Sequence, residues 1–343
     1  MAATIKDIAQ RTGLGLATIS KYLNGGHVKP ANQAAIEEAI RALDYKVNET
    51  ARNLKTRRTG YVGLVLPALN NRFMMEIVNE MQYELRRCGL GSALCCIPSG
   101  NMEERLQGEM EAVDFLLQKG VDGVINMPLN EDGTHLTRLL NQRIPVTLID
   151  KQIPELASQV SAVIVDNVAA ARQATDELIN AGHRHILGLF LNAQNYTARR
   201  RHEGFCDALK ERSIPLEGTR TLFNDMKDDA AFQARVIETL REMKPTAIFA
   251  TTANLTRIAL QSLCELSMAI PGDVSVIGFD GVGLYDSVGL KLYSIMQPTG
   301  DIGAAAARIM AMQIEAIAQG KMLPPQVRTL STTLVRGSSL RSL

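Results

Sequence analysis

Apolar and polar positions repeat along this chain with two different periods, and the change falls near residue 60. In the opening stretch "TIKDIAQRTGLGLATISKYLNG" (4–25), Ile5, Ile8 and Ala9 recur at helical spacing behind Thr4, an N-cap residue type. Gly13 suits the left-handed conformation that ends a helix sharply. A second helix is predicted from about Leu16, with Ile19 and Leu23 on one face and Leu16, Ala17, Ser20 and Lys21 toward the other. A third carries an apolar stripe of Ala35, Ile36, Ala39, Ile40 and Leu43. Three short helices with a tight turn between the first two fit a helix-turn-helix unit. A generic helical hairpin has the same pattern, so periodicity leaves both open.

The next segment, "YKVNETARNLKTRRTG" (45–60), places Asn48 as a cap before about two helical turns and then Lys55, Arg57 and Arg58. Leu54 is a large apolar side chain among polar neighbours. By pattern alone it reads as an anchor onto the rest of the chain.

Beyond residue 60 the runs "GYVGLVLPAL", "GVDGVINMP", "IPVTLID", "SAVIVDN", "HILGLFL" and "TAIFATT" read as strands buried on both faces. Amphipathic helical patterns separate them at 72–88, 101–118, 167–181, 196–212, 228–243 and 253–267. Strand–helix alternation predicts parallel sheets joined by right-handed crossovers. The strands are too many for one sheet of ordinary size, so the pattern predicts two doubly wound α/β subdomains.

Composition adds one asymmetry. The formal net charge of the 343 residues is +1, yet residues 1–60 carry ten Lys/Arg against five Asp/Glu. A basic head on a mildly acidic body points to an anionic partner for the head, or to a solvated basic face. No apolar run is long enough to span a membrane and no signal-peptide layout opens the chain, so a cytoplasmic protein without membrane contact is expected. The five cysteines are scattered without a paired framework, and Cys95–Cys96 falls in an apolar run that reads as buried strand. Phosphate-loop, HExxH and GxSxG signatures are missing, which argues against an enzyme. "GLGLAT" lacks the preceding strand a dinucleotide fingerprint needs. His183 and His185 read as polar residues of a helix-to-strand junction, so neither a metal nor a cofactor is expected.

The head resembles that of the lactose/galactose repressor (LacI/GalR) family. That resemblance implies that the second helix reads bases in the major groove and that the segment after the third helix is a hinge helix. The hinge places a leucine in the minor groove, where an apolar wedge unstacks a base step and kinks the duplex. The positions matching the DNA-contacting pattern are Thr4, Leu16, Ala17, Thr18, Ser20, Lys21 and Asn24. In the hinge they are Asn48, Ala51, Leu54 and Lys55. Some residues depart from it. Gly15 replaces the usual hydroxyl cap, Lys21 an arginine with its two-pronged fork, and Val47 the proline before the hinge. Leu16 and Ala17 offer thymine methyls a partner but no hydrogen bond.

The body is similar to the same family in "VDGVI" (121–125), "VDNVAAARQATDELINAGHRHI" (165–186), "RRRHEGFCDAL" (199–209), "IPGDVSVIGFDG" (270–281) and "LPPQVRTLSTTLVR" (323–336). The implied architecture is a helix-turn-helix domain at 1–46, a hinge helix and linker at 47–59, and a periplasmic-binding-protein-like core at 60–343. Its N-subdomain would take about 60–160 and 292–320, its C-subdomain about 161–291 and 321–340, with crossovers near 160, 290 and 320. The resemblance assigns Asp280 and Arg201 to effector binding, facing each other across a cleft, with Asp150 and Phe73 on the other subdomain. Such a pair suits a hydroxyl-rich ligand, accepting and donating hydrogen bonds. Thr252 stands where a ligand-binding Asn is common, Met226 near where an aromatic is common, and the chain has no Trp. The expectation is a homodimeric repressor on a near-palindromic operator, controlled by a sugar-like small molecule. The alternatives are a cytoplasmic sugar-binding protein or a family member controlled by a protein partner.

Overall fold

The computed structural model describes residues 3–23, 26–45, 58–215, 220–224, 228–281, 283, 285–286 and 289–343. The chain divides into two units, Met1–Gly60 and Tyr61–Leu343.

In the first unit, α1 (Ile5–Thr12), α2 (Leu16–Leu23) and α3 (Pro30–Ala42) follow one another. The Thr4 amide and hydroxyl both donate to Asp7 Oδ2, at 2.7 and 2.8 Å, which fixes the start of α1. Gly13 closes it at φ 67°, its N–H donating to the Ala9 carbonyl. The core is small. Ile8, Ile19, Ile36 and Ala39 are buried, with Leu23, Ile40, Leu43 and Tyr45 packed around them. Tyr22 on α2 donates to Glu37 on α3 at 2.8 Å, tying the second helix to the third.

The second unit opens with β1 (Tyr61–Pro67), α4 (Arg72–Arg87), β2 (Gly91–Ile97), α5 (Met102–Lys119), β3 (Gly123–Asn126), α6 (Thr134–Asn141), β4 (Val146–Ile149) and β5 (Ser161–Val165). It continues with α7 (Asn167–Asn180), β6 (Ile186–Leu191), α8 (Tyr196–Glu211), β7 (Arg220–Asn224), α9 (Asp229–Met243), β8 (Ala247–Ala250), α10 (Ala253–Glu265) and β9 (Ser275–Phe279). The last elements are β10 (Tyr293–Met296), α11 (Thr299–Ala318), β11 (Val327–Leu330) and β12 (Thr333–Val335). Two six-stranded sheets result, in the orders β11-β5-β4-β3-β1-β2 and β12-β10-β9-β8-β6-β7. The pairings are parallel apart from the antiparallel β10–β12 ladder. Each sheet is buried on both faces. In the first half Val62, Leu64 and Leu66 face α4 and α11, while Val65 and Val124 join the opposite cluster with Val113, Leu116 and Leu136. Two clusters cover the second sheet in the same way. Continuous apolar runs are the sequence trace of that double burial.

Three corrections to the sequence expectation concern where the chain goes. The crossovers between halves lie at 165–167, 296–299 and 330–333, later than the expected 160, 290 and 320. β5 pairs with β4 (Leu148 beside Ala162), so residues 161–165 belong to the first half. β10 pairs with β9, so 293–296 belong to the second half, and β11 returns 327–330 to the first. Hydrophobic patterning reveals a strand but not the sheet that receives it. Cys95 and Cys96 lie on a strand as expected, but they are not buried: Cys95 is half-buried and Cys96 exposed, because β2 is the sheet edge. His183, by contrast, is wholly buried, its ring nitrogens 2.9 Å from Thr246 Oγ1 and 3.1 Å from the Arg341 carbonyl. It lies at the expected helix-to-strand junction, between α7 and β6, and ties the C-terminal segment to the second half.

Candidate functional site

On the surface of α2, Leu16, Ala17 and Lys21 are exposed and Thr18 and Ser20 half-buried, while Ile19 is buried beneath them. Leu16 exposes 45% of its surface, an apolar side chain the small head does not cover. Thr4 lies at the start of α1 with its hydroxyl given to Asp7. Asn24, Asn48, Ala51, Leu54 and Lys55 lie outside the described residues, as does Met226.

In the second unit the candidate effector residues sit at the C-terminal ends of parallel strands, where open α/β sheets bind ligands. Asp150 is the first residue after β4 and Asp280 the first after β9. Both have a left-handed backbone, at φ 68° and 55°, uncommon for a residue with a side chain. Each amide donates to the neighbouring strand, Asp150 to the Val163 carbonyl (3.0 Å) and Asp280 to that of Ile295 (2.8 Å). The two aspartates therefore hold equivalent places in the two halves.

Arg201, in the first turns of α8, is buried at 3% exposure. Its Nε donates to Asn167 Oδ1 at 2.7 Å, its Nη1 donates to the Thr251 carbonyl, and its guanidinium lies 3.7 Å from the centre of the Phe279 ring. Gly204 makes this placement possible. A Cβ there would meet the Val168 carbonyl oxygen at 2.1 Å, so only glycine lets α8 settle onto α7 and bring Arg201 to Asn167. Burial pulls the Arg201 pKa down, and the charges of Asp150 and Asp280 push it back up. Burial raises the Asp280 carboxyl against the opposing effects of Arg201 and Gln297. Gln297 holds that carboxylate twice, through its amide (3.0 Å) and its side-chain Nε2 (2.6 Å).

One expectation changes here. Arg201 and Asp280 both belong to the second half, so they do not face each other across the cleft. The residue opposite them is Asp150, on the first half. The strand orders place it there, and α8 follows β6 of the same sheet as β9. Thr252 is the N-cap of α10, its hydroxyl accepting from the Leu255 amide at 3.1 Å, and it is the neighbouring Thr251 carbonyl that reaches Arg201. Phe73 starts α4 half-buried against the first-half core.

Sequence reasoning missed Asn167, Gln297 and Lys151. Asn167 and Gln297 lie on the first and second crossovers, so the side chains that hold Arg201 and Asp280 come from the connections between halves. Lys151, next to Asp150, is buried and donates to the carbonyls of Pro128 (2.7 Å) and Leu129 (3.1 Å). Burial lowers its pKa, while the charges of Asp150 and Glu109 oppose that fall. For Asn167 and Lys151 the available signal was a polar residue at the end of a predicted strand; Gln297 follows β10, which the apolar runs did not reveal. Among the described residues no group of His, Cys, Asp and Glu is arranged to hold a metal ion.

A small helical head followed by two doubly wound α/β halves, with charged residues converging on the strand ends between them, defines a ligand-binding core attached to a helix-turn-helix unit. Comparison with known proteins places that class. Residues 4–48 match the model of the bacterial regulatory proteins of the lacI family. Residues 59–323 match that of the periplasmic binding proteins and sugar-binding domain of the LacI family. Catabolite control protein A of Priestia megaterium is 30% identical over 316 residues, covering 90% of this chain and 92% of its own. The transcriptional regulator RegA of Clostridium acetobutylicum is 31% identical over 314 residues, covering 90% and 92%. The structure of a CelR–cellobiose complex superposes with a TM-score of 0.72 at 27% identity, over 98% of this chain and 100% of that one. The lac repressor dimer bound to operator superposes at 0.82 over 99% of both chains; its 19% identity speaks for the fold alone. The chain belongs to the LacI family: it is a DNA-binding transcriptional regulator, not an enzyme. Among its described residues no helix is long and apolar enough to cross a membrane.

Proposed function

We propose that this protein is a cytoplasmic homodimeric repressor whose two heads bind a near-palindromic operator and whose cleft binds an uncharged, sugar-like effector. The observation that carries the effector reading is the convergence of Asp150, Arg201 and Asp280, with Arg201 and Asp280 tied to crossover residues. Arg201 uses two of its five N–H donors on the protein, leaving three for ligand oxygens. The aspartates accept from ligand hydroxyls. The similar structure of a CelR–cellobiose complex supports this ligand class. Two-fold symmetry of a dimer demands two-fold symmetry of the site it binds.

A ligand shifts the balance between cleft conformations only by its differential affinity for them. Here the contacts that differ are those of Arg201 and Asp280, and their partners Asn167 and Gln297 lie where the chain passes between halves. On the DNA side, the exposed Leu16, Ala17 and Lys21 read bases and the hinge residues Asn48, Ala51, Leu54 and Lys55 complete the contact. Selection of bound DNA from random sequence, followed by a metabolite screen on the selected complex, tests both halves of the reading. Failure to enrich any near-palindromic sequence sinks the operator. Enrichment with no response to any neutral mono- or disaccharide sinks the effector.

A further inference from the structure

Glu131 and Arg199 belong to different halves of the core. Glu131 lies on the loop between β3 and α6, and Arg199 in the first turn of α8. Arg199 Nη2 donates to both Glu131 carboxylate oxygens, at 2.8 and 2.9 Å. We infer that this ion pair is a clasp across the cleft, setting the angle between the two halves through side chains that are fixed at both roots.

Long surface side chains usually follow their partners, so an exposed ion pair reports little about the position of what carries it. This one is different at each end. Arg199 Nη1 donates to the Gln194 carbonyl at 2.8 Å, so the guanidinium is already oriented by its own half. The loop holding Glu131 is gripped from beneath by a buried lysine and a buried glutamate. Lys151 holds the Pro128 and Leu129 carbonyls, and Glu109 Oε1 accepts the Leu129 amide at 3.3 Å. Further along, the Thr134 hydroxyl donates to Asp132 at 2.5 Å, and at Gly133 (φ 69°) a Cβ would meet Leu156 Cδ1 at 2.8 Å and Ile153 Cγ2 at 3.1 Å, leaving the loop no room to shift inward. With both mounts stiff, the bond is made at one angle between the halves and lost at others. The mounts also adjoin the candidate ligand residues. Lys151 follows Asp150, and Arg199 precedes Arg201 by two positions. The half-buried ring of Tyr196 lies within reach of the charges of Glu131, Asp150, Arg199 and Arg200.

The pair is partly exposed, 45% for Arg199 and 24% for Glu131, so solvent screening limits its effect to about a two- to fivefold shift between conformations. Spin labels on the exposed Cys96 and Cys264, one in each half, read the angle as a distance. The full-length protein for this carries Cys88→Ser, Cys95→Ser and Cys206→Ser and is diluted with unlabelled chain, so that only intrachain distances count. Glu131→Gln and Arg199→Gln should each broaden the distribution and move its centre at low salt. Raising the salt of the unsubstituted pair should move it the same way. The exchanged pair Glu131→Arg with Arg199→Glu should bring it back. An unchanged distribution in both single variants overturns the clasp, and so does an exchange that fails to restore it while melting like the parent. The measurement needs neither effector nor DNA, so its result is independent of the ligand reading.

Discussion

Asp280 and Gln297 are joined at both carboxylate oxygens: the Gln297 amide donates to Oδ1 and its side chain to Oδ2. Gln297 sits on the second crossover, so the carboxylate proposed to meet the effector is held by the connection between halves and not by its own loop. The remaining polar atom of Gln297, Oε1, is buried without a partner among the described residues. Such an atom costs free energy unless something repays it, and the two bonds to Asp280 are the compensation visible in the fold.

Replacing Gln297 by Met removes the side-chain donor to Oδ2 and keeps the backbone amide on Oδ1, and should destabilise the core by about 1–2 kcal/mol. The sign with pH follows from the raised carboxyl. A carboxyl raised in the folded state loses stability as pH rises from the unfolded value toward the folded one. Without the Nε2 donor the carboxyl rises further, so the deficit should be larger at pH 7.5 than at pH 4.5. Urea unfolding at both values checks this, and an equal deficit would contradict it.

Arg201→Met should cost about 3 kcal/mol or more, because it leaves Asn167 and the Thr251 carbonyl without their donor and two carboxylates without their cation. Arg201→Lys should recover part of the stability but none of the effector response, since one ammonium cannot donate along the same diverging directions. Calorimetry with an effector found by screening, beside thermal melts, separates the two losses.

His135 gives the core a pH-dependent stability of known direction. It is buried, its Nε2 is 3.2 Å from Asn126 Oδ1 and 3.4 Å from Glu109 Oε1, and burial pushes its pKa down to about 4. The unfolded chain takes up this proton near 6.5, so stability should fall as pH drops through the window from 6.5 to about 4. The loss is on the order of 3 kcal/mol. Burial raises the Glu109 carboxyl, which acts in the opposite sense. His135→Gln should flatten the profile in that window. A profile that keeps its slope would place the proton elsewhere.

Operator affinity should fall steeply with salt, because residues 1–60 carry twice as many cations as anions. A dimer contacting roughly eight phosphates gives a log–log slope near −7 between 50 and 200 mM. Leu54→Ala should reduce DNA bending and affinity while leaving effector binding intact. Gel-shift titrations across salt and a bending assay check both, and a lower melting temperature of the DNA-free core would instead make Leu54 an anchor.

Much of the fold was legible because buried parallel strands and amphipathic helices write themselves as apolar runs and helical stripes. Ile8, Ile19 and Ile36 in the head are of this kind, as are Val62, Leu64 and Leu66 in the core. What could not be read were relations fixed by packing. Nothing in "SAVIV" says which sheet takes it; the pairing of Ser161 with Thr147 decides that. The exposure of Cys96 follows from β2 being the last strand of its sheet, a fact of strand order. At the candidate site, family resemblance named Asp150, Arg201 and Asp280. Asn167 and Gln297 were not named, because a lone amide in a sequence carries no sign of the charge it will hold. Thr252, named for its place in the family pattern, also caps a helix, a role hydroxyls at strand ends share with binding.

The three crossovers are joined to one another, the second meeting the third where Met296 pairs with Thr333, and to the candidate ligand residues. The amide of Asp166 on the first donates to the Leu330 carbonyl that enters the third, and Asn167 beside it reaches Arg201. Three strands bound side by side resist sliding and twisting far more than bending. Connections of this kind make one angle the softest coordinate between the two halves. A chemical event in the cleft is then passed on as a larger or smaller value of that one number.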